Sequence, residues 1–270
     1  MRQIIIISFL LLLFISCKTS YIQLIDTGST NTKKEKEYFV FENDSLKISY
    51  NFWARNGLMA FTVYNKLNKP LYIDWKKSSY IDNSVKLNYW VDGEITKTKE
   101  YYGSYYYYGQ IAGTASSTTM SVERITFIPP KSKYPRSQFY ILPNNYVKMN
   151  PDADFKQVPL NNKPPKTTKV YERFYEKYYS PLVFRNFLTF SYSEDFKNEF
   201  YVDNEFYISK INEMDSKHFY YYKSVDKVDS RFLVRDLKDS SFKFTPFRKG
   251  SSFYKFIPKE GSIEYRKKRL

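Results

Sequence analysis

Few residues in this chain can carry covalent or acid–base chemistry. Its 270 residues include one histidine and one cysteine. His218 lies in Asp215-Ser216-Lys217-His218-Phe219-Tyr220. No Gly-x-Ser-x-Gly elbow accompanies it, so a serine triad is not expected there. A single thiol allows no internal disulfide, and neither a cysteine-rich nor a histidine-pair metal site can be assembled. P-loop, dinucleotide-binding and calcium-loop patterns are absent from the sequence. Carboxylates stand close together at Glu194-Asp195, Asp226/Asp229 and Asp236/Asp239. Two carboxylates can hydrolyse a glycosidic bond when a fold holds them about 5–10 Å apart across a cleft. With 28 acids in the chain, solvated strand ends are the simpler reading. The expectation is a non-enzyme with no cofactor and no metal.

The cysteine has a more specific setting. Arg2 is followed by the apolar run Ile4–Ile15, interrupted only by Ser8. Such a run is too short for a membrane-spanning helix, which needs about 20 residues, and suits the h-region of an export signal. It ends in Phe14-Ile15-Ser16-Cys17, which resembles the bacterial lipobox, with Phe14 where the usual motif has Leu. The resemblance implies cleavage of residues 1–16 and acylation of Cys17. Several acyl chains on one residue hold a protein on a membrane, and the mature chain then has no free thiol for catalysis. Residues 17–37 are polar, with Thr27-Gly28-Ser29-Thr30-Asn31-Thr32 before Lys33-Lys34-Glu35-Lys36-Glu37, and read as a flexible tether. Lys18 after the cysteine, by analogy with other Gram-negative lipoproteins, implies an outer-membrane address, and the lack of a following acidic cluster implies a periplasm-facing side.

Two further stretches could make contacts. Tyr101, Tyr102, Tyr105, Tyr106, Tyr107 and Tyr108 are interleaved with Gly103, Ser104 and Gly109. Tyrosine offers large, rigid contact area at low entropic cost, and its ring can stack on sugars. Either this is a contact surface for a protein or glycan, or it is a hairpin with half its rings in the core. The second stretch is basic. The chain carries 43 Lys and Arg against 28 Asp and Glu, a formal charge of +15, and from Lys217 onward the count is 15 against 6. Arg266, Lys267, Lys268 and Arg269 are its densest run. Nucleic acid is not expected as the partner of an exported, lipid-anchored protein. Phosphates of anionic lipid or lipopolysaccharide are candidates, and solubility alone is the other reading.

These residues must be positioned by strands. Leu46, Ile48, Tyr50 and Phe52 alternate with Lys47, Ser49 and Asn51, the period of a strand with one buried face. Asn56-Gly57 is a turn, after which Met59, Phe61 and Val63 resume the alternation. Leu71, Ile73 and Trp75 form a third face, and Val85, Leu87, Tyr89 and Val91 a fourth. Later strands are expected at Arg124–Ile128, Gln138–Leu142, Leu182–Tyr192 and Glu199–Ile211. Residues 143–169 read as a long proline-bearing loop or an internal boundary. The spacing of turns predicts an all-β fold, an antiparallel immunoglobulin-like β-sandwich over residues 38–215. Residues 216–270 form a basic C-terminal segment of short strands, either a subdomain or a wrapping tail.

The runs Phe61-Thr62-Val63-Tyr64-Asn65, Pro70-Leu71-Tyr72-Ile73-Asp74-Trp75, Ile128-Pro129-Pro130-Lys131-Ser132 and Asn204-Glu205-Phe206-Tyr207-Ile208 resemble uncharacterised lipoproteins of the Bacteroidota. A strand, an Asn–Pro turn and a strand ending in Asp-Trp is also similar to immunoglobulin-like envelope domains. The resemblance implies a lipid-anchored cell-envelope protein with a non-catalytic binding or scaffolding role toward an envelope protein or glycan. A glycan hydrolase using paired carboxylates is the alternative. Trp75 is expected as a core anchor and Asp74 as a strand-end polar group.

Overall fold

The computed structural model describes residues 21–91, 123–160, 163–224 and 241–269, with only the backbone described at 221–224 and 241–244. The expected all-β class holds. Two antiparallel sheets face each other, and among the described residues there are two short α-helices. The smaller sheet orders its five strands β2 (Lys33–Glu35), β3 (Tyr38–Glu42), β4 (Leu46–Tyr50), β5 (Leu58–Asn65) and β9 (Lys133–Tyr140). The predicted alternation is visible in it, since Leu46, Ile48 and Tyr50, then Met59, Phe61 and Val63, are all buried. Asn56 and Gly57 turn the chain with positive φ of 70° and 68°, the left-handed pair that an Asn-Gly turn supplies cheaply.

The larger sheet is built on β13 (Glu199–Asp215). One edge of β13 pairs first with β12 (Val183–Ser191) and then with β11 (Thr167–Phe174); its other edge pairs with β1 (Tyr21–Ser29). Beyond β12 lie β6 (Leu71–Asp82) and its partners β7 (Val85–Asn88) and β8 (Ile125–Ile128). Beyond β11 lies β10 (Asp154–Pro159), and beyond β1 lies β16 (Ser252–Ile257). A further hairpin joins β14 (Tyr221–Ser224) to β15 (Ser241–Phe244).

Aromatic rings fill the space between the sheets. Tyr50 and Phe52 of the small-sheet side meet Phe206 of β13 at 4.8 and 5.0 Å between centroids. Trp75 is fully buried, edge-on to Tyr89 at 5.6 Å, under the Arg136 guanidinium at 3.8 Å, and donates Nε1–H to Thr126 at 2.8 Å. A buried polar chain crosses the same space. Tyr89 donates to Asn186 Oδ1 at 2.7 Å, Asn186 Nδ2 to the Tyr50 hydroxyl at 3.1 Å, and Tyr50 to Asn204 Oδ1 at 2.8 Å. Partnered polar groups in a core fix which residues face one another, because misalignment strands a buried donor.

Three expectations need correction, and one open alternative is narrowed. Residues 21–29 are no tether. β1 lies between β13 and β16 with Ile22, Gln23, Leu24 and Ile25 all buried. A strand covered on both faces shows no polar alternation, and its polar Gln23 is hydrogen-bonded to Val147 and Glu213 instead of to water. Within 143–169, the expected loop contains β10 and leads into β11, a hairpin that extends the large sheet. Of the two readings left open for residues 216–270, the described part fits the wrapping tail, since β16 pairs with β1 and Ile263 enters the main core. The fourth face is mostly open: β7 is an edge strand, so Val85 and Val91 are exposed and only Tyr89 is buried.

Candidate interaction surfaces

Cys17 and Tyr101, Tyr102, Tyr105, Tyr106, Tyr107 and Tyr108 lie outside the described residues, as do Asp226, Asp229, Asp236 and Asp239. Their flanks are described. The described chain stops at Val91 and resumes at Glu123. There β7 and β8 pair with β6 at Ser79–Asp82 and Leu71–Asp74. Through β12, Ser79 is level with Asp203 and Asp74 with Tyr201 of β13. The opposite end of β13, Asp215, pairs with Tyr21. From Asp203 to Asp215 is about 40 Å of strand at roughly 3.3 Å per residue. The two ends of the large sheet therefore carry different features.

At the Tyr201 end, the solvent-facing side of β6, β7 and β12 holds an open groove of about 410 Å³, floored by Ile81 and Phe187 and rimmed by Lys77, Lys86 and Arg185. Its charges are largely spoken for. Lys77 pairs with Glu199, and Arg185 makes two contacts to Asp203. Phe187 stacks on Tyr201 at 5.2 Å and 22°, and Tyr201 remains 68% exposed. Tyr178, at 87%, and Tyr179, at 72%, project from a 3-10 turn held over the same face by a Lys177–Glu205 ion pair. These exposed rings are candidate contact residues that periodicity did not mark. A strand pattern marks which residues alternate outward, but not which outward rings the sheet register stacks together.

At the Asp215 end, the two short helices fold onto the sheet. α1 (Ser216–Phe219) is capped by Asp215 and lays Phe219 on Ile22, Leu24 and Met214, a second core on the back of the sheet. His218 belongs to this packing: it is buried, it lies 5.8 Å from the Phe247 ring, and burial pushes its imidazole pKa below 6.5. α2 (Ile263–Lys267) is capped by Ser262 and receives a further tie where the Ile263 N–H donates to Glu213 at 2.6 Å. Burial of Glu213 raises its carboxyl pKa.

The basic run separates into two roles. Arg266 donates to the Met149 and Gly261 carbonyls at 2.6 and 3.2 Å and is a structural tie. Lys267, Lys268 and Arg269 are exposed. Asp74 is no strand-end group either. It is buried in mid-strand at a register shift, accepting from the Lys76 and Lys77 amides and from Arg124. Glu194 and Asp195 sit in an exposed turn, where Asp195 accepts from Ser193 and the Lys197 amide and its pKa is lowered by them.

Among the described residues, no group of three or more His, Cys, Asp or Glu is placed to hold a metal, and no helix is long and apolar enough to cross a membrane. Comparison of the chain with known protein families, curated proteins and solved structures finds no match.

Proposed function

We propose that this is a lipid-anchored protein of a bacterial cell envelope, held at a membrane through Cys17, that binds or scaffolds an envelope protein or glycan without catalysing a reaction. The observation that supports the reading is the start of β1. Tyr21 is built into the large sheet only four positions after Cys17. A chain spans at most about 3.6 Å per residue, so an acylated Cys17 would keep the bilayer within roughly 14 Å of the Asp215 end. The groove, the Phe187–Tyr201 stack and the roots of the tyrosine-rich segment then stand about 40 Å of strand farther out, where an envelope partner can reach them. By analogy with other Gram-negative lipoproteins, Lys18 after the cysteine supports an outer-membrane address and the lack of a following acidic cluster supports the periplasmic side.

The test is Cys17→Ala in the producing cell, with membrane fractionation and mass spectrometry of the peptide that contains position 17. The expected result is an acylated Cys17 in the wild-type membrane fraction, and for the variant an unprocessed precursor or release from the membrane. An unmodified Cys17 in the mature protein would refute the anchor.

A further inference from the structure

We infer that the Asp215 end of the molecule is an electrostatic contact for the anionic headgroup layer of a membrane, formed jointly by the tip of the β10–β11 hairpin and by α2. Its orientation rests on the Cys17 reading above; its charge and geometry do not.

The hairpin reaches past the sheet. Tyr171 of β11 is level with Glu213, so Lys169 is level with Asp215, the last residue of β13. β10 and β11 stay paired beyond that level as far as Pro159 and Thr167, next to which Lys163 N–H donates to Leu160 O at 2.9 Å and Leu160 N–H to Lys166 O at 2.7 Å. From Lys156 to Lys169 the chain has four lysines and no acid. Lys163, Lys166 and Lys169 are exposed, and none has a carboxylate partner among the described residues.

The second element is fastened to the first. The Lys267 ammonium lies 5.2 Å from the Tyr171 ring and 5.8 Å from Phe155, and Lys169 lies 4.8 Å from the same Phe155. The Glu213 and Met149 bonds to α2 hold the helix across the end of the sheet. Tyr21, the described residue nearest Cys17, donates to Glu264 of α2 at 3.1 Å. Glu264 also faces Lys268 at 3.7 Å, so this acid is already engaged. The result is a basic end whose charges lie beside the residue that the anchor would hold at the bilayer. Charges act on an anionic surface within a Debye length, about 8–10 Å in physiological salt. The four positions from Cys17 to Tyr21 are few enough to let this end come that close to the surface. A partner with an extended anionic plane fits two separate basic elements better than a small anion fits either.

The test uses residues 18–270, which include every described strand and carry neither an acyl chain nor the apolar leader. Sedimentation is measured with vesicles of phosphatidylcholine alone and with about one-third phosphatidylglycerol. The expected result is binding to the anionic vesicles only, lost at about 0.5 M salt. Each charge removed weakens binding by up to roughly fivefold, so Lys163→Gln/Lys166→Gln/Lys267→Gln/Lys268→Gln should lose more than about tenfold. Lys163→Gln/Lys166→Gln alone touches no side-chain contact of the described fold and should lose at least about threefold with an unchanged melting temperature. The inference is overturned by equal binding to neutral vesicles, by no binding to anionic ones at low salt, or by a hairpin variant that binds like the wild type. It is also overturned if millimolar inorganic phosphate displaces the vesicles, which would assign the lysines to a free anion. Because this chain has no lipid, failure here leaves Cys17 acylation untouched, and an unmodified Cys17 leaves the vesicle result standing.

Discussion

Truncation of β1 separates a folded strand from a flexible leader. Ile25 points into the space between the sheets and Ile22 into the second core behind them, and both are fully buried. Ile→Ala removes three carbons, about 2.4 kcal/mol at roughly 0.8 kcal/mol per buried methylene. The cavity left behind adds to this, giving about 2–5 kcal/mol per site. Against a net stability of about 5–15 kcal/mol, either change is large, and together they should leave little folded protein. The assay is urea unfolding of residues 18–270 followed by tryptophan fluorescence. With a slope of about 3 kcal/mol/M, a 3 kcal/mol loss moves the midpoint by about 1 M. Lys34→Ala, exposed on β2, is the control and should stay within about 0.5 kcal/mol. If Ile22→Ala and Ile25→Ala move the midpoint no more than this control does, the burial of β1 is wrong.

Trp75→Ala should cost about 3–5 kcal/mol, since it removes a fully buried ring and the nearer of the two aromatic faces, Trp75 and Tyr89, that the Arg136 guanidinium covers; a loss below about 1 kcal/mol in the same assay would contradict the packing. His218 gives a pH signature. Its pKa is depressed in the fold by burial, so the unfolded chain takes up the proton first, and the stability it contributes is full above pH 6.5 and is lost as pH falls from there through the lower pKa of the folded state. His218→Phe should flatten the decline in melting temperature between about pH 7.5 and 5.5, and an identical decline in the variant would remove His218 as its source.

The sequence alone determines the class of this protein and much of its interior. Alternation from Leu46 to Val63 marks the buried faces of β4 and β5, Asn56-Gly57 marks their turn, and Trp75 is legible as a core anchor because few environments other than a core repay so large a ring. Local pattern suffices wherever one strand face meets water and the other does not. It fails at β1, whose two buried faces erase the alternation, and at the β10–β11 hairpin, where prolines and lysines imitate a loop. Tertiary structure alone decides the candidate sites. Arg266 differs from Lys267 only because two carbonyls, Met149 and Gly261, lie within its reach. Lys163 and Lys267 share an end only because β11 and α2 converge on the last turn of β13, and Phe187 meets Tyr201 through the β12–β13 register. Contacts between residues distant in the chain are set by sheet register, a property of paired strands that no single strand's sequence contains.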